Sequence, residues 1–436
     1  MVRAKTILAT CAVLYFLSQV LFLVNIQFPR GYDFDEFHYV PSAKQFLQMK
    51  ENQNWEHPPL GKEIMAASIA LWGDRPIGWR FLSTVFGSLT LVAFYLWGLA
   101  LFKSQRAALL VAGLTAVNSL LYVQARIGML DTFMFCFTSW GLAAFTFSWN
   151  PENPAALNRR LLIFTGLMMG LATATKWSAV IPWILCLGLI LLIRLLQYWK
   201  TSFGPRPSPD DWYHVSLWKG IRVRDFLLWL VALPLLVYFI PFIPLLYTEG
   251  SKKSFWDLFT MQKKMWEGQL RVVTAHPYMS TWPDWPLLKR PIWYAFDKEG
   301  EKDAFVRGVI LLGNPLIMWS GVLAVLLCLR DWIAERRREA FLITAFYAAL
   351  YLCWIIIPRK VSFYYYYYPA GMTLSLALAY VFHRAERTNS PKAVRNGGLL
   401  FLLACLALFI YFFPILAALR IQANTFQNWM WFRSWI

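Results

Sequence analysis

Runs of apolar residues, roughly 17 to 25 long, recur along the chain between short polar breaks, the length an α-helix needs to cross a bilayer. Taken together they predict about eleven spans, at 7–28, 78–102, 107–123, 131–149, 161–175, 179–196, 226–246, 309–329, 340–357, 363–382 and 397–419. The first run has a basic start but no small-residue cleavage site, and it outlasts a signal-peptide core, so it is kept as a span. Two longer segments, 29–77 and 248–308, break the rhythm. In the first, "EIMAASIALWG" is too short to span and reads as an interfacial helix, with 42–49 as a second. In the other, Phe255, Leu258, Phe259 and Trp266 recur near helical spacing against Lys263 and Lys264, the pattern of an amphipathic surface helix. The expected organisation is a membrane module at 1–247 that includes the first outer loop (29–77), an outer loop at 248–308, and a four-helix membrane portion with an outer tail at 309–436.

Composition agrees with that pattern. The 436 residues are 58% hydrophobic and 15% charged, with a mean hydropathy of +0.45; a soluble protein would need more polar surface to cover its core. The fold class is an all-α polytopic membrane protein. The net charge of +18 gathers on alternate breaks, with Arg3, Lys5, Lys103, Arg159, Arg160, Arg336, Arg337 and Arg338 on one side. By the positive-inside rule that side is cytoplasmic, and the excess reflects topology rather than nucleic-acid binding. All six cysteines lie within spans at neither disulfide nor metal spacing.

The informative charges are those that topology leaves unexplained. Short outer loops should be poor in Lys and Arg, yet "QARIGMLD" carries Arg126 and Asp131, "ATKWSA" carries Lys176, and "IPRKVSFYYYYYPA" carries Arg359 and Lys360. The first outer loop adds Asp33, Asp35, Glu36 and His38, then His57 and Lys62 in "WEHPPLGKE". Lys360 and Tyr364–Tyr368 read as interfacial anchors, because five consecutive tyrosines cover every side of a helix. Arg126 and Lys176, in tight turns against the bias, suit an anionic headgroup. Carboxylates and cations at one outer level fit transfer of a sugar from a lipid-linked phosphate: a base deprotonates the acceptor hydroxyl and cations hold the departing phosphate. Phosphate leaves without being protonated, so the paired acid and base of a glycosidase is not required. Asp35 and Glu36, adjacent in sequence, point different ways and divide into base and orienter. Metal-binding His spacings, GxxxxGK[ST], GxGxxG and GxSxG are all missing, which removes nucleotide-driven and α/β-hydrolase readings and leaves a metal only scattered carboxylates.

In order, "FDEFHY", "HPPLGK", "ARIGMLD", "GLATATKW", "HPYMSTWPDWPLLKRPIWY" and "LLGNPLIMW" resemble the protein O-mannosyltransferase family of GT-C glycosyltransferases over nearly the whole chain. The resemblance implies a GT-C fold, a polyprenyl- or dolichyl-phosphate mannose donor, a Ser/Thr hydroxyl of an exported polypeptide as acceptor, and inversion at the anomeric carbon. It implies Asp35 as base, Glu36 in support of substrate placement, and Arg126 and Lys176 at the donor phosphate. His57, Lys62, Asp131 and Arg359 join them around the substrate. No cofactor beyond the donor lipid is implied. Eukaryotic members carry a soluble β-trefoil insert for which 248–308 has no room, which favours a bacterial-type enzyme of the plasma membrane with an extracytoplasmic site. The family's aromatic-His-aromatic-Pro-Ala stretch reads "YYYYYPA" here, without the histidine. Two other readings stay open: the same donor chemistry onto a lipid or polysaccharide, and a lipid-linked-sugar transporter or flippase. Against the latter, the acidic groups lie at span ends and no repeated halves are visible.

Overall fold

The computed structural model of the chain describes residues 4–203, 212–214, 216–271, 274–357, 359–388 and 390–436. The proline-rich stretch at 204–211, between the runs at 179–196 and 226–246, lies outside the described residues. The first helices are α1 (Ala4–Leu23), α2 (Glu36–Leu47), α3 (Leu60–Trp72) and α4 (Pro76–Phe102). They are followed by α5 (Gln105–Ala116), α6 (Ser119–Ala125), α7 (Leu130–Ser148), α8 (Ala155–Thr175) and α9 (Val180–Phe203). Next come α10 (Val223–Leu227), α11 (Leu233–Phe239) and α12 (Asp257–Arg271). The C-terminal part holds α13 (Pro315–Glu335), α14 (Arg338–Ile356), α15 (Tyr368–Thr388) and α16 (Pro391–Leu416).

Among the described residues, eight helical stretches are long and apolar enough to cross a membrane, and α5 with α6, bent by 60°, makes a ninth. The bend falls where Asn118 leaves the helical path and its side chain accepts from the Leu120 N–H to start α6. Helices α8 and α15, 21 residues each, have the length but a more polar composition. Nine of the eleven expected runs overlap stretches long and apolar enough to cross, and the other two, 161–175 and 363–382, overlap α8 and α15. The short helices expected within 29–77 and 248–308 are present as α2, α3 and α12.

A small sheet departs from the apolar-run pattern. Strands β1 (Ile292–Glu299) and β2 (Phe305–Leu311) pair antiparallel from Ile292↔Leu311 to Glu299↔Phe305, and β3 (Ile421–Gln422) adds to β2. The span expected at 309–329 therefore starts later, at Pro315. Its first residues belong to "FVRGVIL", a β-branched strand that merges by hydropathy alone into the helix after it.

Inside the bundle, polar groups are satisfied between helices. Gln19 of α1 donates to Thr84 Oγ1 (2.8 Å) and accepts from Ser88 Oγ (3.0 Å), both on α4. Pro234 of α11 lacks the N–H that would bond four residues back, and the chain widens into a π turn over Leu228–Ala232. The carbonyl of Leu230 accepts instead from the Trp183 indole at 2.6 Å. Helix α8 meets this irregular backbone through Gly166 and Gly170, where a Cβ would lie 1.8 Å from the Trp229 carbonyl oxygen and 2.7 Å from Val237 Cβ. The spacing is the small-xxx-small pattern of close membrane-helix contact. Gly170→Leu is expected to cost about 1–3 kcal/mol by overpacking, seen as a lower melting temperature of the purified protein in detergent, whereas Gly188→Leu, at a position with open space around it, leaves the melting temperature unchanged.

Candidate active site

Outer-loop charges settle into two groups. The first is centred on Arg80, near the N-terminal end of α4 and completely buried. Its Nε donates to Glu36 Oε1 (2.8 Å) and its Nη2 to Glu36 Oε2 (2.7 Å), the two-pronged geometry in which a guanidinium meets a carboxylate. The remaining N–H groups reach the carbonyls of Pro29 (2.7 Å), Gly31 (3.1 Å) and Ile26 (3.3 Å) and the Asp33 carboxylate (3.2 Å). Glu36 also accepts from the N–H groups of Gly128 (2.7 Å) and Asp33 (3.1 Å). Every lone pair of this buried anion is occupied by protein. Burial, with Glu36 next to it, pushes the Asp33 carboxyl up to about 7 despite Arg80.

Arg126 belongs beside this group. It is buried, lies 5.6 Å over the Tyr122 ring, and donates to the carbonyls of Leu416 (2.8 Å) and Asn25 (2.7 Å). These carbonyls lie at and just beyond the C-terminal ends of α16 and α1, where the last turns leave acceptors without helical partners. The structure thus joins Arg126 to helix ends and not to the Asp35 carboxylate.

Around Asp35 lies the second group. Asp35 occupies the N-cap position of α2, but its side chain makes no cap hydrogen bond; it accepts from the Tyr39 hydroxyl at 3.1 Å. Phe34, just before it, has a φ of +50°, an uncommon conformation for a non-glycine residue. Its ring is held between Tyr294 (5.1 Å), His276 (5.7 Å) and Phe363 (5.7 Å). The segments carrying His276 and Phe363 are bridged to each other through Ser280 N–H to Ser362 C=O (2.9 Å). Three outer segments thereby fix the backbone that presents Asp35. Burial lifts the Asp35 carboxyl above its ordinary pKa; Lys176 pulls it back, and Asp131 pushes it further up.

Lys176, between α8 and α9, donates to Asp131 Oδ2 at 2.7 Å, with both side chains almost completely buried. Its ammonium lies 4.9 Å over the Tyr365 ring and 5.9 Å over that of Tyr366. The Arg359 guanidinium lies 5.2 Å over the Tyr366 ring and, among the described residues, pairs with no carboxylate. Tyr366 is stacked on Trp354 at 4.5 Å. The five tyrosines Tyr364–Tyr368 are all at least 95% buried, correcting their expected place in an interfacial belt. They form a 3₁₀ turn leading into α15, and packing on both sides turns them inward. Lys360 is exposed, in keeping with an anchor.

His57 meets the Tyr39 ring edge-on at 5.9 Å and places Nδ1 3.5 Å from the Gln269 amide of α12. Burial holds it well below its ordinary pKa, with Lys176, Lys62 and Arg359 adding repulsion, so the imidazole is neutral. Lys62 is buried and turned to the carbonyls of His57 (2.9 Å) and Asn54, and burial pushes it down to about 7. It closes the "WEHPPLGK" turn instead of facing Asp35. Among the described residues, no three His, Cys, Asp or Glu side chains converge as a metal set. The important residues outside the sequence-based candidates are Arg80, Tyr39 and Phe34. Arg80 could have been found by the same signal that marked Arg126, a cation at the outer end of a span.

Two family models match the chain. One, described as dolichyl-phosphate-mannose-protein mannosyltransferase, matches residues 75–259, and the other, the C-terminal four TMM region of protein-O-mannosyltransferase, matches 254–435. The chain belongs to the protein O-mannosyltransferase family. A polyprenol-phosphate-mannose–protein mannosyltransferase of Corynebacterium glutamicum is 26% identical over 92% of this chain and 88% of its own length. That of Mycolicibacterium smegmatis strain MKD8 is 25% identical over 92% and 87%. Among solved structures, the Saccharomyces cerevisiae Pmt1–Pmt2 complex bound to the sugar donor superposes with a TM-score of 0.81 at 16% identity, covering 100% of this chain and 93% of that one. ArnT from Cupriavidus metallidurans bound to undecaprenyl phosphate gives 0.58 at 14%, covering 95% and 76%. Both share the GT-C fold.

In this O-mannosyltransferase the Arg80–Glu36 pair is expected to behave as a buried couple. Arg80→Leu should lower stability by about 3–5 kcal/mol, because it strands the Glu36 charge. Thermal unfolding in detergent should then show Arg80→Leu with Glu36→Leu losing less than the two single changes added together.

Proposed function

We propose that this protein transfers mannose from a polyprenyl phosphate carrier to Ser/Thr hydroxyls of exported polypeptides, working in the plasma membrane with its N-terminus in the cytoplasm and its site on the outer face. The observation that carries this reading is the Asp35 carboxylate, which among the described residues pairs with no cation, accepts from Tyr39 and lies within the field of Lys176, whose ammonium shares the Tyr366 ring with Arg359. The names of the curated relatives and both family matches support it.

In the reaction Asp35 takes the proton of the acceptor hydroxyl as its oxygen attacks the anomeric carbon. The bond from that carbon to the phosphate oxygen breaks, both electrons go to the phosphate, and the configuration inverts. A base with a raised pKa accepts the proton more readily than an ordinary carboxylate. Of the three N–H donors on Lys176 one goes to Asp131, which leaves two for the departing phosphate. Arg359 brings charge that no carboxylate of the described residues offsets. Glu36 has no free lone pair; it places the loop. Asp131 sets the direction of Lys176.

Asp35→Asn is expected to lower turnover about 10²–10⁴-fold in an assay with synthetic polyprenyl-phosphate mannose and a Ser/Thr peptide, with folding intact by size-exclusion; near-normal transfer would refute Asp35 as base. Because the folded-state pKa lies above the ordinary value of about 3.9, kcat/KM of the parent should fall with acidification at a pH higher than a solvent-exposed aspartate would give.

The two arginines separate phosphate binding from helix capping. Arg359→Ala should cost about 10²–10³-fold in kcat/KM for the donor at nearly unchanged melting temperature. Arg126→Ala should lower the melting temperature, and the enzyme that remains folded should keep its donor KM.

A further inference from the structure

A cavity of about 770 Å³ opens on the outer face between the first outer loop and α12. Nothing in the reaction outlined so far uses it. Helix α12 touches the loop at one end: a Cβ on Gly268 would lie 2.7 Å from the Trp55 ring, and the Gln269 amide donates to the Glu56 carbonyl at 2.8 Å. At the other end Lys253 reaches Glu51 at 3.3 Å. The cavity between these ties is lined by Trp55, Phe242, Met261 and Met265, and His57 lies on its inner wall. From His57 a short path leads to the base: 5.9 Å between the rings of His57 and Tyr39, then 3.1 Å from the Tyr39 hydroxyl to Asp35.

We infer that this cleft holds the acceptor polypeptide, as an extended segment that seats an apolar side chain next to the reacting Ser or Thr against Trp55, Met261 and Met265 and runs outward past Lys264 and Arg271. The inference rests on the transferase reading and assigns its second substrate a place. Unbranched methionines adapt to side chains of different shape, as a site serving many acceptor sequences requires. With Lys253 paired to Glu51, the lining keeps two cations, Lys264 and Arg271, against one carboxylate, Glu267, so acceptors with acidic residues outside the apolar position are preferred over basic ones.

The donor's isoprenoid tail is the rival occupant, and the lining argues against it. Glu51, Lys253, Lys264, Glu267 and Arg271 line the cavity, and such charges are costly next to a hydrocarbon chain. A separate recess of about 20 Å³ is lined by Ile181, Pro182, Leu350 and Trp354 together with Asp131 and Tyr366. Displacement with inversion brings nucleophile and leaving group to opposite faces of the anomeric carbon. The cleft at His57 and the recess at Asp131 are two separate cavities, as distinct places for nucleophile and leaving group require.

The experiment uses the full-length protein in lipid nanodiscs, polyprenyl-phosphate mannose, and Ser/Thr peptides with acidic or basic flanks. Met265→Trp, which fills the cleft, should raise the peptide KM about tenfold or more and leave the donor KM unchanged. Lys264→Glu with Arg271→Glu changes exposed positions that folding does not depend on. It should shift the acidic-to-basic preference in kcat/KM about tenfold toward basic peptides at low salt, and the shift should vanish at about 1 M salt, where screening acts within ~3 Å. If peptide KM and preference stay at parent values while Asp35→Asn is inactive, the cleft assignment fails and the transferase reading stands. If the donor KM rises and the peptide KM does not, the cleft holds the isoprenoid tail and the proposal is overturned. An active Asp35→Asn enzyme would instead strike at the reading beneath it.

Discussion

The buried pair of Arg80 and Glu36 is the interaction on which this face of the bundle depends. A guanidinium and a carboxylate with no exposed surface are tolerable only if every donor and acceptor finds a partner, since each ion alone carries a desolvation penalty of several kcal/mol. Here the demand is met by gathering backbone. Arg80 takes the carbonyls of Ile26, Pro29 and Gly31, and Glu36 takes the N–H groups of Asp33 and Gly128. Satisfying one ion pair thus fixes the exit of α1, the start of α2 and the turn before α7 relative to one another. Asp35, one residue from Glu36 and one from the strained Phe34, inherits its position from constraints on both sides.

The short segment from Arg126 to Asp131 connects this scaffold to the chemistry. Arg126 gathers carbonyls at the ends of α1 and α16, Gly128 binds Glu36, and Asp131 holds Lys176. A Cβ at Gly128 would approach Glu36 Oε1 to 3.1 Å, so a side chain there would crowd the carboxylate that the Gly128 N–H binds. Both charge groups therefore share one rigid turn, and a displacement of the scaffold pair would be felt at Lys176 through these contacts.

Hydropathy was sufficient for the helices because a bilayer permits little else: a 20-residue apolar run has few alternatives to a spanning helix. The same argument located α2, α3 and α12 as runs too short or too two-sided to span. It failed where apolar residues form a strand, since "FVRGVIL" is as hydrophobic as the helix it precedes. The tyrosines misled for a related reason, because a side chain that suits a membrane interface also suits a polar cavity. For the site, residue type and topology pointed to the charges but not to their partners. Lys176 and Arg126 look alike in sequence, each a cation in a tight outer turn, and only tertiary contact separates a cation facing Asp35 from one that caps helix ends. Arg80 escaped because it lies inside a run that counts as a span.

The missing histidine of "YYYYYPA" has a physical substitute in ring faces. Lys176 and Arg359 carry like charge and both lie over Tyr366, at 5.9 and 5.2 Å. Their mutual repulsion is offset in part by the negative face of the ring, each such contact contributing on the order of 0.5–2 kcal/mol. A cation held over a ring gives up none of its N–H donors, whereas a cation held by carbonyls gives up several, as Arg126 does. Stacking on Trp354 keeps the Tyr366 plane from turning. In the proposed reaction, two positive side chains fixed in this way would keep N–H donors for the departing phosphate, the preorganisation that its stabilisation requires. A neutral histidine would add one hydrogen bond, whereas the Tyr366 face holds two cations, whose remaining donors the proposed reaction gives to the phosphate.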